Sequence, residues 1–276
     1  MNVPAVRAAV RRWASTVDRP LPWRGERDPY RVLVSEVMLQ QTQAARVAEA
    51  YPAFLRSFPT LRSLASAEAA DVIRAWGTLG YNRRALNLWR TARACPDGLP
   101  AKVGELQRLP GIGPYTARAV ASFAFGADTA PVDANVRRIL TRLAPGAEDV
   151  QALADGLLAQ GRSAEWNQAL FDLGALVCRP GAPCCDACPL RRRCAWALGE
   201  RPQRVPRRTQ PRFETTTRYA RGRVVAVLRE EGSLTLADVS RRTRLPHPRV
   251  RDAVDALVGD GLVSRRGRRI ELGIRR

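Results

Sequence analysis

The sequence predicts a mainly α protein that ends in a small winged-helix-like domain, and three observations carry that prediction. From Tyr30 to about residue 200, apolar residues recur at helical spacing, with breaks at Ser57-Phe58-Pro59, Gly77 to Gly80 and Leu109-Pro110-Gly111. Residues 201–213, RPQRVPRRTQPRF, are basic and punctuated by proline, as a linker is. Beyond them, three apolar-periodic stretches lead into a short basic ribbon.

The elements follow in order. Residues 3 to about 17 read as an amphipathic helix with Val6, Val10, Trp13 and Val17 on one face. The stretch RPLPWRGERDP reads as a loop. Short helices then run to about residue 200, with no alternating run that would mark a strand. In the tail, Val224, Val225 and Leu228 suggest one helix, Leu236 and Val239 a second, and Val250, Val254, Leu257 and Val258 a third. Leu262-Val263, the turn Arg265 to Arg268, and Ile270 to Leu272 suggest a two-stranded wing. Three helices and a basic wing form a helix-turn-helix variant. The sequence holds no internal repeat.

Composition bounds the partner. The 276 residues are 45% hydrophobic, enough for two or three folded domains. No apolar run is long enough to span a bilayer, and the N-terminus lacks the apolar core of a secretory signal, so a cytoplasmic protein is expected. Basic residues outnumber acidic ones 46 to 26, a net charge of +20, although Lys102 is the only lysine. A preference for arginine explains the missing lysines but not the excess of positive charge. Such an excess points to nucleic acid, whose phosphates release counterions on neutralisation.

The six cysteines are Cys95, Cys178, Cys184, Cys185, Cys188 and Cys194, and five of them fall in one short segment. That crowding fits a metal or cluster site in a reducing compartment rather than a disulfide framework. The ligand pattern is Cys178-x6-Cys185-x2-Cys188-x5-Cys194, which leaves Cys184 and Cys95 spare. Zinc and an iron–sulfur cluster both accept four thiolates, so the spacing alone leaves both open.

Two further motifs precede the loop. Leu109-Pro110-Gly111-Ile112-Gly113 joins two helices, and glycines there allow positive φ and close approach by a phosphate. Backbone N–H groups of the hairpin and of the next helix start, near Thr116, can hold a DNA backbone without reading sequence. Asp133 lies in Ala130-Pro131-Val132-Asp133-Ala134-Asn135-Val136, where it also suits an ordinary helix N-cap. Glu36, in Ser35-Glu36-Val37-Met38-Leu39-Gln40-Gln41-Thr42, has Val32, Leu33, Leu39 and Gln40 as helical neighbours. A glutamate on so apolar a face is expected to have a raised pKa, suited to general-acid work near neutrality.

The cysteine spacing, the hairpin and the two acidic segments together resemble the iron–sulfur branch of the helix-hairpin-helix (HhH-GPD) DNA glycosylase superfamily, over residues 5 to about 200. That branch includes endonuclease III and the MutY-type adenine DNA glycosylases, and Ser35 to Gln43 is most similar to the MutY type. The resemblance implies a two-lobed helical fold. A cluster-bearing domain would comprise 1–20 and 128–200, and a six-helix domain 21–127; the linker 201–213 and a winged-helix-like domain 214–276 follow. It implies a [4Fe–4S] cluster on Cys178, Cys185, Cys188 and Cys194. It implies Glu36 as the acid that protonates the adenine, Asp133 as the stabiliser of the sugar cation, and Tyr115 as a neighbour orienting Asp133. Arg24, Gln41, Tyr81, Gly111, Gly113, Thr116 and Asn135 would serve DNA binding. Gln41 would be the wedge, and Tyr81 the aromatic inserted beside the opposite base.

Bifunctional relatives place a lysine two residues after the hairpin's last glycine, where this chain has Tyr115. A monofunctional glycosylase without strong lyase activity is therefore expected, acting as a monomer on mismatched or damaged double-stranded DNA near the nucleoid. MutY-type enzymes usually add a Nudix-like β domain that recognises 8-oxoguanine, and the tail here does not read as one. Removal of thymine or uracil from mismatches, on the same scaffold, stays an alternative. So does a non-catalytic iron–sulfur, winged-helix DNA-binding regulator, which would not need both carboxylates. In the tail, Arg244, Arg249 and Arg251 near the third helix, and Arg265, Arg266, Arg268 and Arg269 on the wing, are expected to meet phosphates.

Overall fold

The computed structural model describes residues 1–199 and 211–274. Most of the expected linker, 201–210, lies outside the described residues. Eleven helices fill the first part: α1 (Val3–Ala14), α2 (Pro29–Leu39), α3 (Ala44–Ser57), α4 (Leu61–Ser66), α5 (Ala69–Ala75), α6 (Arg83–Ala94), α7 (Val103–Leu106), α8 (Pro114–Phe125), α9 (Ala134–Leu143), α10 (Val150–Gly156) and α11 (Ser163–Leu176). The second part holds α12 (Thr217–Glu231), β1 (Leu234–Thr235), α13 (Leu236–Thr243), α14 (His247–Gly259), β2 (Val263–Arg266) and β3 (Arg269–Leu272). This is the element order expected of a winged helix.

Local chemistry sets the boundaries. Asn2 caps α1 by accepting from the N–H of Ala5 at 3.1 Å. That helix stops at Ala14, short of the expected residue 17, because the hydroxyls of Ser15 and Thr16 turn back to the carbonyls of Arg12 and Trp13. Pro114 at the first position of α8 needs no hydrogen-bond acceptor, and Gly126 ends that helix in a left-handed conformation. Thr60 with Ser63, and Thr235 with Asp238, form reciprocal capping boxes on α4 and α13.

The chain divides into two compact units. The first comprises residues 1–36, 100–108 and the described part of 112–205; the second comprises 37–99, 109–111 and the described part of 206–276. These cuts differ from the lobes drawn from the sequence. They fall inside α2, after Glu36, and inside the hairpin, after Gly111.

In the first unit, Val6 and Val10 of α1 share a core with Ile139, Leu140 and Leu143 of α9 and with Trp166, Leu170 and Leu173 of α11. Cys178, Cys188 and Cys194 are half-buried against that same core. The cysteine loop is therefore seated on the helices that carry Asp133.

In the second unit, Phe54 and Trp76 meet edge to face at 5.8 Å, among buried Val47, Leu64, Ile73 and Leu86. Val224, Val225, Leu228, Val250, Val254 and Leu257 supply the buried faces of α12 and α14. The sheet has strand order β1-β3-β2 and is antiparallel, with Leu234 opposite Ile270 and Val263 opposite Leu272. The two-residue β1 carries too little pattern to be read from sequence.

Candidate active site and cysteine loop

Glu36 is on α2 and only 6% exposed. Its neighbours Val32, Leu33 and Val34 are buried as well. Burial pushes its carboxyl up to about 7, and the negative charge of Asp133 adds to the rise. A hydrogen bond from Tyr115 pulls the other way. Among the described residues, Glu36 Oε2 has no hydrogen-bond partner. A carboxyl held near neutrality, with one oxygen uncommitted, is suited to hand a proton to a bound group.

Tyr115 is the second residue of α8, which aims its hydroxyl at Glu36. Burial, then the two carboxylates, raise that hydroxyl well above the usual tyrosine range, so it stays a protonated donor. Phe171 lies beside its ring, with centroids 6.3 Å apart.

Asp133 is the N-cap of α9. Its Oδ1 caps α9 by accepting from the N–H of Val136 at 2.7 Å. Its Oδ2 accepts from Asn135 Nδ2 at 2.9 Å. These two bonds fix the carboxylate's position.

Behind Asn135 stands a residue the sequence reading passed over. Arg138 Nη2 donates to Asn135 Oδ1 at 2.7 Å and to the carbonyl of Gly174 at 2.8 Å. Its Nε donates to the carbonyl of Cys178 at 2.7 Å. A continuous line of hydrogen bonds thus joins the first loop cysteine to Asp133. Gly174 makes room for it, because a Cβ there would stand 2.6 Å from Asn135 Cβ. The available signal was spacing, since residues 135 and 138 share a helix face.

The four expected ligands Cys178, Cys185, Cys188 and Cys194 line one cavity, together with Cys184. Arg142, which is buried, ties the loop down. Its Nη1 reaches Cys178 Sγ at 3.3 Å and the carbonyl of Arg179 at 2.9 Å, and its Nη2 reaches the carbonyl of Pro180 at 3.0 Å. Its guanidinium also lies 4.5 Å from the Trp196 ring. Burial, and then the neighbouring thiols, push Cys188 up to about 11. Yet among the described residues no three His, Cys, Asp or Glu converge as a single metal ion requires. Zinc and an iron–sulfur cluster both accept four thiolates that line a common space.

The remaining expectations divide. Arg24 Nη2 pairs with both oxygens of Asp172, at 2.9 and 2.8 Å, and Arg19 joins at 2.8 Å. Asp172 is 4% exposed, a buried acid that the sequence reading did not pick out. In this arrangement Arg24 anchors the entry loop. Gly111 does take positive φ (+75°), and a Cβ there would meet Asn87 at 2.6 Å. Gly113 does not, since its φ is −83° and its Cβ position is open, so only Gly111 takes a conformation that favours glycine. The Thr116 side chain is buried in the first turn of α8.

Gln41 and Tyr81 are two of only three non-glycine residues with positive φ among the described residues, at +55° and +48°. Buried Arg84 serves both turns. Its Nη1 donates to the carbonyls of Val37 and Met38 at 2.8 Å and to that of Gln40. Its Nη2 donates to Thr42 Oγ1 at 3.0 Å and to the carbonyl of Gly80 at 3.2 Å. In the tail, Arg249 is spent on the carbonyls of Glu214 and Thr216, and Arg265 on Asp255. Arg251, Arg266 and Arg268 are exposed.

Residues 34–154 match the HhH-GPD superfamily base excision DNA repair protein family. The chain is 40% identical over 264 residues to the adenine DNA glycosylase of Mycolicibacterium smegmatis, covering 91% of this chain and 90% of that one. It belongs to the adenine DNA glycosylase family. The adenine DNA glycosylase of Mycobacterium tuberculosis H37Rv is 41% identical over 277 residues, 92% of this chain and 88% of that one. The human adenine DNA glycosylase is 41% identical but matches only 70% of this chain and 39% of its own length. The mycobacterial matches leave too few residues over to exclude the C-terminal domain. Among solved structures, a thermostable thymine-DNA glycosylase superposes with a TM-score of 0.67 at 28% identity, over 71% of this chain and 96% of that one. An endonuclease III–DNA complex, at 21% identity and a TM-score of 0.62, shares the fold. No helix among the described residues is long and apolar enough to cross a membrane.

Proposed function

We propose that this protein is a monofunctional DNA glycosylase of base excision repair, removing adenine mispaired with guanine or 8-oxoguanine from double-stranded DNA. The observation that carries the reading is the buried Glu36, poised near pH 7 with a free oxygen, beside the donor Tyr115 and the fixed carboxylate Asp133.

Glu36, protonated, donates its proton to N7 of the extruded adenine, so the base leaves neutral as the C1′–N9 bond breaks. Asp133 faces the positive charge that develops at C1′. Water closes the reaction by forming the new C1′–O bond and giving up its proton to the Glu36 carboxylate, which leaves free adenine, an abasic sugar and the acid restored. Tyr115 offers no amine for a Schiff base, and that supports hydrolysis without strong lyase activity.

Cys178, Cys185, Cys188 and Cys194 would hold a [4Fe–4S] cluster. Bound, it would cross-link the loop through four thiolates and so brace the Cys178 carbonyl on which Arg138 rests. Thymine excision is weighed down by the lower identity of the thymine-DNA glycosylase, 28% against about 40% for the adenine enzymes. The protein would act as a monomer in the nucleoid-bearing cytoplasm. Single-turnover base release from A·G, A·8-oxoguanine, T·G and U·G duplexes tests the substrate, with adenine the expected free base. Release of thymine or uracil alone would overturn the adenine reading, and high-yield borohydride trapping would overturn the monofunctional one.

A further inference from the structure

The C-terminal domain reaches the turn that carries Tyr81. This turn is costly to build, because a tyrosine at φ +48° is in a region that L side chains rarely adopt. It is nonetheless held tightly. The carbonyl of Gly80 accepts from Trp76 Nε1 at 3.0 Å and from Arg84 Nη2 at 3.2 Å. The result is a tyrosine ring left 39% exposed.

Two guanidinium groups flank that ring. Arg84 lies 5.4 Å from its centroid, and Arg218, from the first turn of α12, lies 5.1 Å from it. Arg218 Nη1 also donates to the Tyr81 hydroxyl at 3.0 Å. The helix is pinned over the turn from its other end as well. Arg229 Nη2 donates to Asn82 Oδ1 at 3.2 Å, and its Nε to the carbonyl of Ile73 at 3.3 Å.

Arg218 is poorly placed for stability alone. It stands in the first turn of α12, where a cation opposes the helix dipole, and that turn holds no acidic residue. The exposed cation–π contact is of similar size and opposite sign. The side chain is therefore a solvent-facing cation on an exposed aromatic, held in place by a second domain. A guanidinium lying over the exposed ring and bonded to its hydroxyl suits the acceptors of a purine brought to the turn.

We propose that Tyr81 and Arg218 form one composite DNA-contact site. The guanine opposite the excised adenine meets this pair, and Arg218 donates to its O6 and N7. The C-terminal domain thereby works as part of the base reader rather than as a separate grip on duplex DNA. This rests on the base-excision reading above.

The experiment compares the full-length protein with Arg218→Ala, Arg218→Lys and Tyr81→Phe. Each is assayed for adenine release and duplex affinity with A·G and with A·7-deazaguanine, which lacks N7. The parent is expected to prefer guanine by about tenfold. Arg218→Ala should erase that preference, and Tyr81→Phe should weaken it by freeing the guanidinium. Arg218→Lys should keep affinity but not the preference, because a point charge cannot span two acceptors. Equal discrimination by parent and Arg218→Ala would overturn the inference. So would an equal loss on both duplexes with a shallower salt dependence, which marks a phosphate contact, or a lower melting temperature with unchanged binding. Failure of the parent to release adenine from any duplex would instead overturn the base-excision reading.

Discussion

Glu36 and Asp133 are two carboxylates of one unit, treated in opposite ways. Glu36 is buried on an apolar helix face with Tyr115 as donor, and its Oε2 has no hydrogen-bond partner among the described residues. Both oxygens of Asp133 are spoken for, by Val136 N–H and by Asn135, and Asn135 is itself held by Arg138. The difference teaches that an acid and a charge stabiliser, the roles proposed for them, need different neighbours. Burial keeps a proton on one carboxyl near pH 7, while hydrogen bonds fix the position of the other.

The largest expected effect comes from abolishing the contrast. Asp133→Asn keeps the cap and removes the charge, so single-turnover excision should fall by about a thousandfold or more with DNA affinity retained. Glu36→Gln should cost about 10²–10⁴-fold and leave a flat pH profile. The parent itself should lose activity as pH rises through about 7, where Glu36 gives up its proton.

The same shift has a stability counterpart of known sign. Because the folded-state pKa is raised from 4.5, the folded protein prefers the protonated form. Its contribution is present below about 4.5 and is lost as pH rises to about 7. Glu36→Gln should therefore raise the stability measured at pH 8, by up to about 3 kcal/mol. Full activity in either mutant would end the division of labour.

A smaller effect should follow from loosening the arm behind Asp133. Arg138→Ala removes the bonds to Asn135, Gly174 and Cys178, and a loss of about ten- to a hundredfold in excision is expected. Iron content and visible absorbance should fall with it if the arm also braces the loop. A mutant with normal rate and normal iron would show that Asn135 holds Asp133 unaided. The smallest effect is a displacement. Tyr115→Phe deletes a hydrogen bond that lowers the Glu36 pKa, so the alkaline limb of the rate profile should move to higher pH. Movement to lower pH would contradict the assigned direction of that bond.

Much of the site was legible because its parts are local. The Asp133 cap is a three-residue relation, Glu36 declares its apolar face by helical spacing, and the four cysteines lie close together in the chain. Other readings needed distant residues. Arg24 was expected at DNA, yet its guanidinium is paired with Asp172, far along the chain and buried by the fold. Gly111 and Gly113 look alike in the motif, and only Gly111 takes the conformation that demands glycine. The partners of Arg249 and Arg265, two carbonyls and an exposed carboxylate, likewise come from other elements of the fold.

By itself the sequence determined the mainly helical class, the order of elements in the C-terminal domain, the four-cysteine loop, the two acids and the absence of a lysine beside the hairpin. Each of these is fixed by residue type and by spacings of a few positions. Only the tertiary structure decided which polar groups are buried and who their partners are: Arg138 between Cys178 and Asn135, Arg84 beneath Gln41 and Tyr81, and Arg218 on the Tyr81 ring. Desolvation and hydrogen-bond partnership are set by chain segments far apart in sequence, and no local pattern records them.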